Sequence, residues 1–315
     1  ELMSSDNAII NMQQAHLTAN NSEQISPVSF LPSTRGFKLA ALNIRSLSAH
    51  IDELRVLLAD CPIDVLAINE TWLSCSITDD EIYIPGYKII RRDRKVGEPN
   101  KSGESRGGVC FYVRSNINFS PRLDLSIDHL ENLCIEIRKP SSKPFVITTW
   151  YRPPNLTVDK FHLFESFIGR LDAENVEYYV LGDLNCNMGA SIPDHESRLL
   201  SSISELYGLQ QLIEEPTRIT ESSSTIIDLI FTNVPDNVVS SGVSHVGISD
   251  HSLVYAFRKL FTGTSNKGHT TVSYRNFKNF DPARLRADMC SQNWEVVKEF
   301  DNPNVRYVAC VEIYI

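Results

Sequence analysis

The chain has 315 residues, 42% of them hydrophobic and 22% charged, and carries a net charge of −9. This is globular composition, and no apolar run approaches the roughly 20 residues that cross a bilayer, so a membrane-spanning protein is not expected. The seven cysteines are scattered without a C-x-x-C pair, which argues against a disulfide framework or a structural zinc site and for a reducing, intracellular compartment.

The first ten residues, ELMSSDNAII, lack the basic segment and apolar core of a secretory signal, and the start at Glu1 rather than Met reads as a fragment. Residues 1–35 are rich in Ser, Asn and Gln and read as a mostly disordered leader. The folded part is expected over 36–259, opening with a strand in FKLAALN that ends at Asn43. Leu47, Ile51, Leu54, Leu57 and Leu58 then recur at helical spacing, with Ser46 or Ser48 as a cap. IDVLAINE is a strand ending in Glu70, and YKIIRR, GGVCFYVR, NLCIEIR and FVITTWYR read as further strands. VDKFHLFESFIGRLDAE is an amphipathic helix with Phe161, Phe164, Phe167, Ile168 and Leu171 on one side. The strand EYYVLGDLN follows, then a helix that stops at Gly208, then strands in STIIDLIFTN and SLVYAFR. Successive strands without intervening helices predict an α/β sandwich with mixed sheets rather than a doubly wound parallel sheet. Residues 260–315 read as a polar linker and a short helical segment with too few apolar residues for a core of its own.

Several strands end in a residue of chemical use: Asn43, Glu70, Tyr151, Asp183 with Asn185, Asp228, and Asp250 with His251. Each has a bland reading. Asn43 can form a turn, Glu70 can open a loop, and Tyr151 can edge the core beside two prolines. Asp183 and Asn185, two apart in extended chain, point the same way and can serve one ion or phosphate, or can simply form an Asx-turn. Asp228 lies between apolar neighbours, where a carboxylate is costly unless it is paired. His251 beside an available Asp becomes a candidate acid–base group. The set offers oxygen donors and one imidazole, without cysteine, which suits Mg2+ or Mn2+ rather than zinc, and hydrolysis at phosphorus rather than a serine mechanism. No G-x-S-x-G, P-loop or G-x-G-x-x-G occurs. Between Lys88 and Arg122 nine Lys and Arg face three acids, a local +6 that could be a solvated loop or could meet phosphates.

In this order the stretches LNIRS, INETWL, WYRPPN, LGDLNCN, STIIDLIF and ISDHSLV resemble the endonuclease/exonuclease/phosphatase superfamily, and most of all the endonuclease domain of LINE-type non-LTR retrotransposons, over roughly residues 36–258. The segment SYRNFKNFDPARLRADMCSQNWEVV is similar to the piece that joins such an endonuclease to a reverse transcriptase. The resemblance implies a four-layer αββα sandwich of the DNase I type, with two mixed sheets and the site at one edge. It implies Glu70 as ligand of a Mg2+ ion (or Mn2+), with Asn43 beside it and Asp250 nearby. Asp183 would orient or deprotonate water, and Asn185 and Tyr151 would contact the scissile phosphate. His251, held by Asp228, would stabilise the pentacovalent state. Substrate contacts fall to Thr217, Asn155 and, in the basic window, Arg106. Cys186 is a bystander, and Gly182 lets the backbone turn. One departure is that Pro154 stands where many relatives have Asn, with Asn155 one position later.

The implied function is a Mg2+-dependent endonuclease that nicks double-stranded DNA for retrotransposition, in the nucleus if it acts on chromosomes, with a reverse transcriptase in the parent protein. The alternatives are an abasic-site nuclease or lipid or inositol phosphoesterase of the same superfamily, and a silent DNA-binding remnant of a dead element. The −9 total implies weak, salt-sensitive binding of DNA by this stretch alone.

Overall fold

The structure, a computed structural model, describes residues 30–94, 106–140, 142–154, 159–260, 281–300 and 306. The chain divides into two compact units, Glu1–Gly263 and Thr264–Ile315. Within the first, the strands are β1 (Phe37–Asn43), β2 (Val65–Asn69), β3 (Tyr87–Arg92), β4 (Val109–Arg114), β5 (Asn118–Pro121), β6 (Glu131–Arg138), β7 (Phe145–Tyr151) and β8 (Glu177–Asp183). They continue with β9 (Gln210–Gln211), β10 (Arg218–Ile219), β11 (Ser224–Thr225), β12 (Asp228–Thr232), β13 (Val238–Ser244) and β14 (Leu253–Arg258). The helices are α1 (Ile51–Asp60), α2 (Asp159–Ala173) and α3 (His195–Leu206).

Two six-stranded sheets result, one in the order β13-β14-β1-β2-β4-β3 and the other β5-β6-β7-β8-β12-β9. Each is antiparallel except at its centre, where one crossover makes a parallel pair: β1 with β2 through α1, and β7 with β8 through α2. Strand alternation sorts the side chains into layers. Phe37, Leu39, Ala41, Val65, Ala67 and Phe111 face Ile135, Phe145, Ile147, Tyr179, Leu181 and Ile230 across the gap between the sheets. On the outer face of the first sheet Leu42, Leu66 and Ile68 take Leu54 and Leu58 of α1. On the outer face of the second, Val146, Trp150, Val180 and Phe231 take Phe161, Phe164, Phe167 and Ile168 of α2 and Leu200 of α3. The fold is therefore the expected αββα sandwich with two mixed sheets. No helix among the described residues is long and apolar enough to cross a membrane.

Three local findings refine the sequence reading. α1 begins at Ile51, later than a cap at Ser46 or Ser48 would set it, because the backbone there is bent back. Arg45 and Ser46 have φ of 49° and 97°, and the amides of Ser46 and Leu47 donate to the carbonyls of Glu70 and Thr71 at 2.9 Å each. β13, in VVSSGVS, has no clean apolar alternation and was not expected; it is recruited as the edge partner of β14. Residues 1–29 of the expected leader lie outside the described residues, but within its last six positions Leu31 is buried, and the Ser244 hydroxyl donates to the carbonyl of Phe30 at 2.7 Å. In the second unit, α4 (Pro282–Ser291), capped by Asp281, and α5 (Glu295–Lys298) bury none of their residues.

Candidate active site

The C-terminal ends of both parallel pairs open at one edge of the sandwich, the usual place for sites in sheets with crossover connections. β1 delivers Asn43, and β2 delivers Asn69 and then Glu70. β7 delivers Tyr151, and β8 delivers Asp183. β12, antiparallel to β8, begins at Asp228, whose register partner is Asp183. His251 stands just before β14.

Hydrogen bonds stitch these ends together across the two sheets. The Asn43 side-chain amide donates to Glu70 Oε1 at 2.9 Å and to Asp183 Oδ2 at 2.8 Å. The Tyr151 hydroxyl donates to the same Glu70 oxygen at 2.9 Å, and the Trp72 indole N–H donates to Glu70 Oε2 at 3.1 Å. Asn69 spans the gap in both directions, accepting from the Asp183 amide at 2.8 Å and donating to Thr149 Oγ1 at 3.0 Å. Asp183 Oδ1 accepts the Asn185 amide at 3.0 Å, the Asx-turn the spacing allowed. His251 Nδ1 lies 2.9 Å from Asp228 Oδ2 and 4.0 Å from Asp183 Oδ2. The carboxylate fixes the tautomer, so that Nδ1 carries the proton facing Asp228.

Backbone conformation is specialised here. Glu70, Trp72 and Asn185 have φ near +50°, which costs a non-glycine residue and persists only where the surroundings hold it. Gly182 has φ +140°, and a Cβ there would stand 2.3 Å from the Trp150 carbonyl oxygen and 2.7 Å from Asn69 Oδ1. The glycine therefore does more than permit a turn. It lets β8 approach β7 and the Asn69 side chain closely enough for the Asp183 amide to be captured.

Electrostatics follow from burial. Burial pushes Asp183 up to about 7, with the charge of Asp228 acting in the same direction. Burial alone would lower His251, but its hydrogen bond to Asp228 and the charges of Asp228, Asp183 and Asp250 outweigh that and raise it above 6.5. Tyr151 is driven upward by burial and by the Glu70 and Asp183 charges, so its hydroxyl stays protonated. Cys186 is fully buried and pushed up to about 12, so it has no thiolate character and is indeed a bystander.

Asp183, Asp228 and His251 approach within 4.8 Å of one another, a spacing that a metal would accept. His251 Nδ1, however, is already turned onto Asp228, and Asp183 onto Asn43 and Asn185, which reads as an acid–base relay. The better cation donors are Glu70, which is partly exposed, and the buried Asn43, whose side-chain Oδ1 accepts only a long 3.3 Å bond from the Arg45 amide. Glu70 and Asp183, joined through Asn43, and the Asp228–His251 pair 4.0 Å from Asp183 bring three carboxylates together with one imidazole, an excess of negative charge among hard oxygen donors that suits a divalent ion such as Mg2+.

The remaining sequence candidates fall differently. Asp250, expected near the metal, instead takes Arg45 Nη1 at 3.0 Å and Arg218 Nε at 2.9 Å on its two oxygens. Thr217, expected to contact substrate, is fully buried; its hydroxyl oxygen accepts the amides of Ile227 and Asp228 at 3.2 and 3.1 Å and so sets the start of β12. Arg106 is exposed, with its guanidinium 4.9 Å from the centre of the Trp72 ring. Asn155 lies outside the described residues. The basic window is largely spent inside the fold: Arg91 on Asp93 and Asp79, Arg94 on Glu131, Arg114 on Asp64, and Arg122 on Asp124 and Glu174. Arg92 binds the Asn132 and Ile127 carbonyls. Lys95 and Lys101 lie outside the described residues. Among the described Lys and Arg of the window only Lys88 and Arg106 are exposed, so its described part is not an open cationic face.

Two residues of the constellation were missed. Asn69 stood unremarked beside Glu70, although a polar residue closing the apolar strand VLAIN was a signal. Arg152 is buried, with its amide on the Asp183 carbonyl at 3.0 Å and Nη1 on the carbonyls of Leu184 and Asn185 at 3.2 and 3.1 Å, while its own carbonyl accepts the Asn185 side chain at 2.9 Å. It clamps the turn that carries Asn185.

Comparison with known proteins shows the family and the fold. The profile of the endonuclease/exonuclease/phosphatase family matches residues 40–251. Curated relatives include the RNA-directed DNA polymerases from mobile element jockey of Drosophila funebris, 32% identical over 110 residues, and Drosophila melanogaster, 28% identical over 117. These matches cover 35% and 37% of the chain but only 11% and 12% of the relatives. The endonuclease domain of TRAS1, a telomere-specific non-LTR retrotransposon, superposes with a TM-score of 0.55 at 15% identity, covering 71% of this chain and 99% of that domain. The AP endonuclease LMAP from Leishmania major superposes with a TM-score of 0.58 at 14% identity, covering 74% and 90%.

Proposed function

Because the chain belongs to the endonuclease/exonuclease/phosphatase family, we propose that it is a divalent-metal-dependent endonuclease that nicks one strand of double-stranded DNA. The observation that carries this reading is the convergence of the Glu70–Asn43–Asp183 and Asp228–His251 chains at one sandwich edge. Asp183, with its carboxyl raised to about 7, accepts a proton from the attacking water near neutral pH. The water oxygen bonds to phosphorus, and the bond from phosphorus to the 3′-oxygen breaks, leaving a 5′-phosphate and a 3′-hydroxyl that takes a solvent proton. The protonated His251, oriented by Asp228, donates from Nε2 to a phosphate oxygen, and Tyr151 and Asn185 donate to the same group as charge develops. Glu70 and Asn43 would hold the metal, Mg2+ or Mn2+, which when bound would supply positive charge to offset that of the phosphate oxygens. In a longer parent protein the 3′-hydroxyl would prime an RNA-directed DNA polymerase, in the nucleus if the substrate is chromosomal DNA. The names of the curated relatives support this extension.

The test is plasmid nicking by the 315-residue chain in Mg2+ and in chelator. Open-circle product only with Mg2+, reduced by about 10²-fold or more in Asp183→Ala and in His251→Ala, is expected. No product, or equal product from the variants, overturns the reading. Parallel trials with an abasic oligonucleotide and an inositol phosphate separate other chemistries of the same family.

A further inference from the structure

Asp250 holds two guanidiniums on one carboxylate, and they come from distant parts of the chain. Arg45 lies in the bent loop after β1, and Arg218 opens β10. The side chains of Arg45 and Arg218 remain 44% and 35% exposed, so both present unused N–H donors to solvent. An exposed ion pair contributes little to stability, and a second arginine on a carboxylate that is already matched contributes less still. The placement is nonetheless costly and well braced. Arg45 has φ +49°, and its amide reaches Oδ1 of Asn43, the residue whose side-chain amide donates to Glu70. Arg218 is bridged by backbone to His251, and the Ser252 amide donates to the Thr217 carbonyl at 2.7 Å. The cluster carries a net +1 at the rim of a site whose interior is negative, immediately beside the imidazole.

From this we infer that Arg45 and Arg218 form a phosphodiester-binding pair beside His251, with Asp250 as the residue that orients them and not a metal ligand. The inference rests on the nuclease reading and assigns the substrate contact on the His251 side. The planar guanidinium forks suit phosphate oxygens, and their charge stands where a second cation would otherwise be needed. Glu70 would then hold the single metal of the site.

Two measurements on the 315-residue chain test it. The first is binding of an uncleaved duplex oligonucleotide in chelator across a salt series. Arg45→Gln and Arg218→Gln should each make the slope of log K against log salt shallower by about 1, with affinity falling alike for different sequences. The second is Mn2+ titration followed by electron paramagnetic resonance, where one ion per chain is expected and Asp250→Asn should retain it, while Glu70→Gln loses it. Unchanged salt slopes, two ions per chain, or loss of Mn2+ in Asp250→Asn each overturn the inference. If the unaltered chain neither binds nor nicks DNA, the nuclease reading itself has failed.

Discussion

At the scale of single residues, the site depends on exceptions to ordinary backbone rules. Gly182→Ala puts a methyl against the Trp150 carbonyl and Asn69 Oδ1 at a φ of +140°, so either β8 moves or the Asp183 amide loses its partner. We expect a loss of about 2 kcal/mol or more in stability, measured by urea unfolding, together with a drop in nicking that exceeds the unfolded fraction. The raised carboxyl of Asp183 sets the pH dependence. A base must be deprotonated to work, so nicking at fixed saturating Mg2+ should rise with pH along an acidic limb centred at or somewhat below 7, since bound positive charge lowers the value that burial alone produces, and should fall again on an alkaline limb where the protonated His251 that serves as donor loses its proton. A flat profile between pH 5.5 and 8 would remove Asp183 as the base. Most of these residues were legible as chemically useful types at strand ends. Their partners were not, because Arg45 meets Asp250 across 205 positions and Asn43 meets Asp183 across 140.

At the scale of elements, α2 anchors the second sheet. Trp150 stacks on Phe164 at 3.9 Å between ring centres, and Phe167 is fully buried beside them. Phe167→Ala should cost about 3–5 kcal/mol, visible as a lower midpoint in guanidinium unfolding at unchanged slope. The periodic Phe positions made this helix readable from sequence, and the same holds for α3, whose end at Gly208 is confirmed by a φ of +60°. β13 and the β10–β11 hairpin were not readable, since small polar strands carry no alternation and owe their conformation to the neighbours they pair with. The pairing of the described arginines in the basic window was hidden for a related reason. A charge count along the chain does not register Asp79, Glu131 and Glu174, which fold back onto its arginines.

For the whole molecule, the excess of buried carboxylate links metal, protons and stability. The folded state keeps the Asp183 proton to about 7, whereas the unfolded chain releases it near 3.8, the ordinary value for an aspartate. Without metal, the folded state thus holds more protons between those values and loses stability as pH rises through them. The raised His251 acts in the same direction above 6.5. A divalent ion favours the deprotonated cluster. Millimolar Mg2+ should therefore raise the melting temperature more at pH 8 than at pH 6, by several degrees if the ion is near a hundredfold above its dissociation constant. Equal shifts at both pH values, read by scanning calorimetry, would contradict this account.

The hydrogen bonds of Asn43 with Asp183, Asn69 with Asp183 and Thr149, Tyr151 with Glu70, and His251 with Asp228 all cross from one sheet to the other. Half of the chemistry rides on each sheet, and the greasy layer between them is the main bearing on which the halves would slide, with Arg258 on Glu177 and Arg92 on Asn132 as further ties. The constellation is therefore a gauge of slip. Loosening that bearing far from the edge, at Phe111 or Ile147, would detune the alignment of water, base and phosphate at temperatures where the molecule is still folded.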